Sequence, residues 1–179
     1  MIAFAIGKKG SGKSYYVKGF LAHTRKPFIV TDPLMEYPVE QRFTSIESFT
    51  EALQEGELKK SVGLTLPTTD EVFELFAWSW NMKPHILVIE EFHIYANAWS
   101  VSKPLQRLFR MGRHRQIDII GITQRFVDLP QIAITQADAL IIFRQQGIRD
   151  IGAIEKVTDP ETAMRVANLR DHERVEYQF

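Results

Sequence analysis

The run Gly7-Lys8-Lys9-Gly10-Ser11-Gly12-Lys13-Ser14 constrains this chain more than any other stretch, because glycine, four residues and then Gly-Lys-Ser is the spacing of a phosphate-binding loop. A polyphosphate has to be wrapped by backbone N–H groups, and glycine at 7, 10 and 12 lets the backbone turn sharply and approach closely. Lys13 is then placed to reach the β- and γ-phosphates of ATP and the Ser14 hydroxyl to ligate Mg²⁺. A helix starting at that point turns its N-terminus toward the anion. The flanks supply the context the motif needs. Ile2-Ala3-Phe4-Ala5-Ile6 is an apolar run suited to a buried strand, and Tyr15 to Ala22 continues as helix.

A chain of 179 residues with 45% hydrophobic content is expected to form one domain, residues 1–179, with a real core. Acids and bases number 22 each, so no global field draws it to nucleic acid or membrane, and any such argument must be local. Cysteine is absent, which removes disulfides and thiolate metal sites. No apolar run approaches the length of a membrane span, and Met1 leads straight into the first strand, so neither an anchor nor a leader is expected.

Strands and helices alternate along the rest of the chain. Lys13 to about Thr24 is the first helix, closed by Pro27, and Phe28-Ile29-Val30-Thr31 is a second strand. It ends on Asp32, which is equally a turn residue or a ligand-facing carboxylate at a strand's C-terminal edge. Between Glu36 and Glu74 there are nine acids against Arg42, Lys59 and Lys60, which reads as a solvated acidic face. Ser45 to Gln54 is amphipathic, Val62 to Leu66 is a short strand, and Thr69-Asp70 cap a helix reaching Trp80. The aromatic residues of that helix, Phe73, Phe76, Trp78 and Trp80, suit core or contact surface better than base stacking. Later come strands at 117–123 and 139–143, helices at 148–157 and 160–169, and an extended segment from His172. The pattern is α/β with a parallel central sheet flanked by helices.

Three further features carry chemistry. In His85-Ile86-Leu87-Val88-Ile89-Glu90-Glu91, a doubly buried strand ends on two carboxylates. At that edge one acid, Glu90, can hold the Mg²⁺ shell and the next, Glu91, can activate water. The strand at 117–123 closes on Thr123-Gln124-Arg125, where Gln124 either caps or orients a water beside the acids. Lys103 to Arg115 holds five bases and no acid. Its arginines can meet phosphates, although helix C-termini attract cations in any case.

With these pieces in order, the chain resembles the FtsK–HerA superfamily of DNA-pumping ATPases over Ile2 to about Lys156. The carriers are GKKGSGKS, Asp32-Pro33, ILVIEE with Phe92-His93, and GRHRQIDIIGITQR. Within it the short length is similar to the genome-packaging ATPases of tailless, internal-membrane double-stranded DNA viruses. The resemblance implies a RecA-like core of the ASCE type and a homo-oligomeric ring, expected to be a hexamer. ATP would lie between subunits and double-stranded DNA in the channel. It also implies a soluble protein of host cytoplasm or virion vertex, with capsid or membrane-vertex proteins as partners. By the same likeness Glu91 is the base, Gln124 the sensor, and Arg113 or Arg149 the arginine finger of the adjacent subunit. The family usually has Asp before Glu, where this chain has Glu90. Two other classes share the loop: a small kinase, which excludes water so that a carboxylate poised to activate water works against it, and an assembly protein that uses ATP without turnover.

Overall fold

A computed structural model describes residues 1–179. In chain order the elements are β1 (Ile2–Ile6), α1 (Lys13–His23), β2 (Phe28–Thr31), β3 (Gln41–Phe43), α2 (Ile46–Glu55), β4 (Ser61–Leu64), α3 (Thr69–Ser79) and β5 (Ile86–Ile89). There follow a hairpin of β6 (Ala96–Asn97) and β7 (Ser100–Val101), then α4 (Lys103–Met111), β8 (Asp118–Thr123), α5 (Gln131–Gln136), β9 (Ala139–Phe143), α6 (Ile148–Val157), α7 (Pro160–Asn168) and β10 (Arg174–Gln178).

Eight strands form one sheet in the order β10-β9-β1-β8-β5-β2-β4-β3. Every neighbouring pair is parallel except β10 with β9. Side chains alternate across the strands, so each strand feeds two cores. Phe4, Ile29, Leu87, Ile89, Ile119, Leu140 and Ile142 point to one face and pack with residues of α2 through α7. Ala5, Val30, Val88, Ile120 and Ile122 point to the other, which is covered by Val17 and Leu21 of α1. Phe4 is fully buried against Phe92, their rings 5.2 Å apart and edge to face. Burial of a ring this size contributes about 1.5–3 kcal/mol.

Local chemistry explains most boundaries. Ser45 caps α2 by accepting from Ser48 N–H, and Asp159 caps α7 by accepting from Thr162 N–H at 2.7 Å. The α3 cap falls one residue earlier than the sequence suggests: Thr68 and Glu71 form a reciprocal capping box, and Thr69 is already helical. Phe76 and Trp80 are buried in the core, which settles the aromatic cluster as packing. Of the nine acids between Glu36 and Glu74 all but Glu71 are exposed, as expected of a solvated face. The extended C-terminal segment becomes β10, the antiparallel edge of the sheet. No helix is long and apolar enough to cross a membrane.

Candidate active site

Because β1, β5 and β8 are parallel and adjacent, their C-terminal ends bring the phosphate loop, the paired acids and Gln124 to one edge of the sheet. The loop is built tightly. A Cβ on Gly7 would lie 2.6 Å from both Phe143 Cβ and Ser11 Oγ, so only glycine fits there. Gly12, with φ 98°, turns the chain into α1, and Tyr16 N–H closes the first helical turn on Gly12 C=O at 2.9 Å. Lys13 is only 8% exposed, and burial lowers its pKa against the opposing pull of Glu91 and Glu90. Its ammonium folds back on the loop, donating to the carbonyls of Gly7 at 2.6 Å and Lys8 at 3.0 Å. Ser11 Oγ is buried with no partner in the protein, a group that an anion in the loop would satisfy.

Beyond Ser14 lies a small cleft lined by Asp32, Glu36, Tyr37, Glu90 and Glu91 as well. Glu90 is largely buried. Burial pushes its carboxyl pKa up, while Tyr37 and Ser14, donating to it, pull the other way. Tyr37 Oη donates to Glu90 Oε1 at 2.5 Å, and burial together with Glu90 raises the phenol's own pKa. The donor set is oxygen only, from a hydroxyl and carboxylates, which fits a hard divalent cation. No cluster of three His, Cys, Asp or Glu side chains stands ready to enclose a metal. That suits Mg²⁺, which takes one or two protein ligands and completes its shell with water and substrate phosphates.

Asp32 resolves to structure. It is 1% exposed, and its oxygens accept from Glu36 N–H at 2.9 Å, Tyr37 N–H at 3.0 Å and Arg42 Nη1 at 2.7 Å. It therefore anchors the turn that presents Tyr37 to Glu90.

Glu91 sits in the left-handed region at φ 47°, ψ 45°, a strained conformation for a non-glycine residue at a site of chemistry. The turn separates the two acids. Glu90 faces Ser14, whereas Glu91 accepts from Gln124 Nε2 at 3.2 Å and lies 3.4 Å from His93 Nδ1. Gln124 is itself held by Gln145, whose Nε2 donates to its carbonyl at 3.0 Å.

Around the loop the structure adds Arg144 and Asp150 to the residues the sequence pointed to. Lys8, Lys9, Gln124, Arg125, Arg144 and Asp150 line a polar cavity of about 350 Å³. Arg125 pairs with buried Asp150 at 3.1 Å, and Asp171 pairs with Lys8 at 3.0 Å, which holds its carboxyl below the usual range. On the other side of Gly12 an open, mostly apolar cavity of about 740 Å³ is lined by Tyr15, Tyr16, Phe20, Phe143, His172 and Arg174. Phe143, Arg144, Asp150, Asp171, His172 and Arg174 carried no signal before folding, because each reaches the loop from a distant part of the chain.

The two candidate fingers separate. Arg149 is exposed near the start of α6, on the loop's side of the sheet. Arg113 lies at the opposite, N-terminal edge, its side chain 75% exposed and 3.6 Å from Asp138, the residue before β9. Arg113 thus cannot serve its own subunit's loop.

A phosphate loop after β1, acids after β5 and a polar side chain after the intervening β8 define a P-loop NTPase of α/β fold. Its fold is that of the FtsK–HerA-like P-loop ATPases. No protein-family model matches the chain, and no curated sequence does. Solved structures do match. The genome packaging NTPase B204 of Sulfolobus turreted icosahedral virus 2, in complex with AMP, aligns with TM-score 0.82 and 25% identity over 99% of this chain and 91% of that one. B204 of Sulfolobus turreted icosahedral virus, a DNA-packaging ATPase, aligns with TM-score 0.77 at 25% identity over 99% of this chain and 91% of that one. VirB4 of Thermoanaerobacter pseudethanolicus shares the fold at TM-score 0.71 and 10% identity, over 98% and 88% of the two chains.

Proposed function

We propose that this chain is an ATP-hydrolysing translocase of double-stranded DNA that packages a viral genome as a homo-oligomeric ring. One observation supports the hydrolytic part: Glu91 is held by Gln124 at 3.2 Å on the loop's edge of the sheet, at the rim of the Ser14 cleft. A kinase excludes water, so a carboxylate poised to activate water works against that reading. The likeness to B204, a DNA-packaging ATPase over nearly its whole length, supports the load.

With ATP bound, Mg²⁺ would supply charge neutralisation to the phosphates. Ser14 and Glu90 would hold that ion, and Tyr37 aims the Glu90 carboxylate. Lys13, released from the Gly7 and Lys8 carbonyls, turns to the phosphates, and the loop N–H groups and Ser11 Oγ complete the cradle. The aromatic cavity beside Gly12 takes the base. Glu91 accepts a proton from the attacking water while Gln124 orients it. Arg113 or Arg149 of a neighbouring subunit completes the charge stabilisation, which makes turnover depend on the ring.

The test is ATP hydrolysis by purified protein with and without a DNA duplex. Turnover that requires Glu91 and rises on duplex addition is expected. Turnover without duplex binding at low salt, in any oligomeric state, overturns the translocase; phosphate transfer to a nucleoside monophosphate that survives Glu91→Gln overturns the hydrolase.

A further inference from the structure

Immediately after Glu91 the chain runs through the short 3-10 turn Phe92–Ile94 into the β6–β7 hairpin and then α4. From Phe92 to Ile117 there is no acid at all, although the stretch holds five of the 22 bases. Charge that balances over the whole chain is thus segregated here. Arg113 alone of the five is paired with a carboxylate. Lys103, Arg107 and Arg110 are exposed at i, i+4 and i+7 on one face of α4. They span about 10 Å of helix, equal to about three base-pair rises of 3.4 Å. Arg107 is held in place by the Trp80 ring, 3.8 Å from its guanidinium.

The hairpin adds an apolar probe to this surface. Trp99 at its tip is 95% exposed. Its turn is nevertheless fixed, since Asn97 Oδ1 accepts from Trp99 N–H at 3.0 Å and from Ser100 N–H at 3.1 Å. The hairpin's base is anchored twice: Ala96 is buried in the main core, and Gln106 of α4 donates to Val101 C=O at 2.9 Å. A bulky indole kept in water on a rigid turn has its ordering entropy settled before any partner arrives.

We propose that the β6–β7 hairpin and the exposed face of α4 form the contact surface for duplex DNA, with Trp99 entering a groove and Lys103, Arg107 and Arg110 on the phosphates. Protein partners generally present both signs of charge, whereas a surface of bases without acids complements a polyanion. An apolar side chain pressed against base steps beside phosphate-neutralising cations is a known physical route to gripping a duplex without reading its sequence. The inference rests on the translocase reading. It adds a mechanical link, because the hairpin that touches DNA begins five residues after Glu91, the acid read as activating water.

The experiment is fluorescence anisotropy of a labelled duplex over a salt series, with an ATP analogue present, alongside intrinsic tryptophan fluorescence. Trp99→Ala is expected to weaken duplex binding about tenfold with an unchanged thermal midpoint. Lys103→Ala and Arg110→Ala each lower the salt slope by about 1. Duplex addition shifts the emission of the wild type but not of Trp99→Phe. Wild-type binding that Trp99→Ala leaves intact within about twofold, without an emission shift, overturns the DNA contact alone. So does a Trp99→Ala protein that sediments as a smaller species without DNA, which makes the hairpin a subunit contact. Failure of the wild type to bind duplex in any nucleotide state removes the translocase and this contact together.

Discussion

Tyr37→Phe isolates the hydrogen bond that aims Glu90. The substitution keeps the ring, its burial and the Lys18 ammonium 4.9 Å from its centroid, and deletes only the hydroxyl that donates to Glu90 Oε1 at 2.5 Å. Hydrogen bonds to charged groups contribute about 1.5–3 kcal/mol. For a domain of this size each kcal/mol moves the midpoint by about 2–4 °C, so a fall of about 3–12 °C is expected. The pH dependence follows from the sign of the Glu90 shift. Its folded pKa is raised above the ordinary carboxylate range, chiefly by burial, so its ionisation opposes folding and its contribution falls as pH rises through that window. Losing the Tyr37 donor raises the folded pKa further. The variant's deficit is therefore full at neutral pH and shrinks as acid protonates Glu90. Denaturation of wild type, Tyr37→Phe, Glu90→Gln and the double variant gives the coupling directly. A coupling below about 0.5 kcal/mol at neutral pH, or a deficit that grows on acidification, refutes the reasoning.

Lys13→Ala should abolish nucleotide binding measured by calorimetry, whereas Glu91→Gln should keep ATP bound and lower turnover by about 10²–10⁴-fold. Gly7→Ala forces a methyl to within 2.6 Å of Phe143 Cβ, an atom fixed to the β9 backbone. A loss of about 1–3 kcal/mol in denaturation, together with weakened nucleotide binding, is expected. Arg113→Ala mixed with wild type should depress turnover more than in proportion to its share; simple dilution would move the finger to Arg149 in the same assay.

What could be read before folding was whatever the chain states locally. The apolar runs of β1, β5 and β8 announce doubly covered strands, and the glycine spacing announces the loop, because the residues involved are contiguous. The β6–β7 hairpin and β3 escaped notice: two or three residues show no periodicity, and their pairing comes from a partner rather than from propensity. Tyr37 escaped for a different reason. Its partner Glu90 is 53 positions away, and only the turn tied down by Asp32 brings them together. The same holds for Asp171 on Lys8 and for Gln145 on Gln124. The candidate reactive groups were legible because each ends or follows a contiguous motif; the groups that position them were not.

The placement of β8 between β1 and β5 also makes the sheet a gauge. Two strand spacings of about 4.8 Å set the end of β1, which leads into the phosphate loop, about 10 Å from the end of β5, which leads into Glu90 and Glu91. On the proposed mechanism that interval has to hold a terminal phosphate and the attacking water. Neither jaw can close on the other without compressing hydrogen bonds that run through Ile119 to Thr123. The width is set by backbone, which no side-chain substitution alters. Adjustment is left to side chains such as Gln124, which follows directly on the spacer strand.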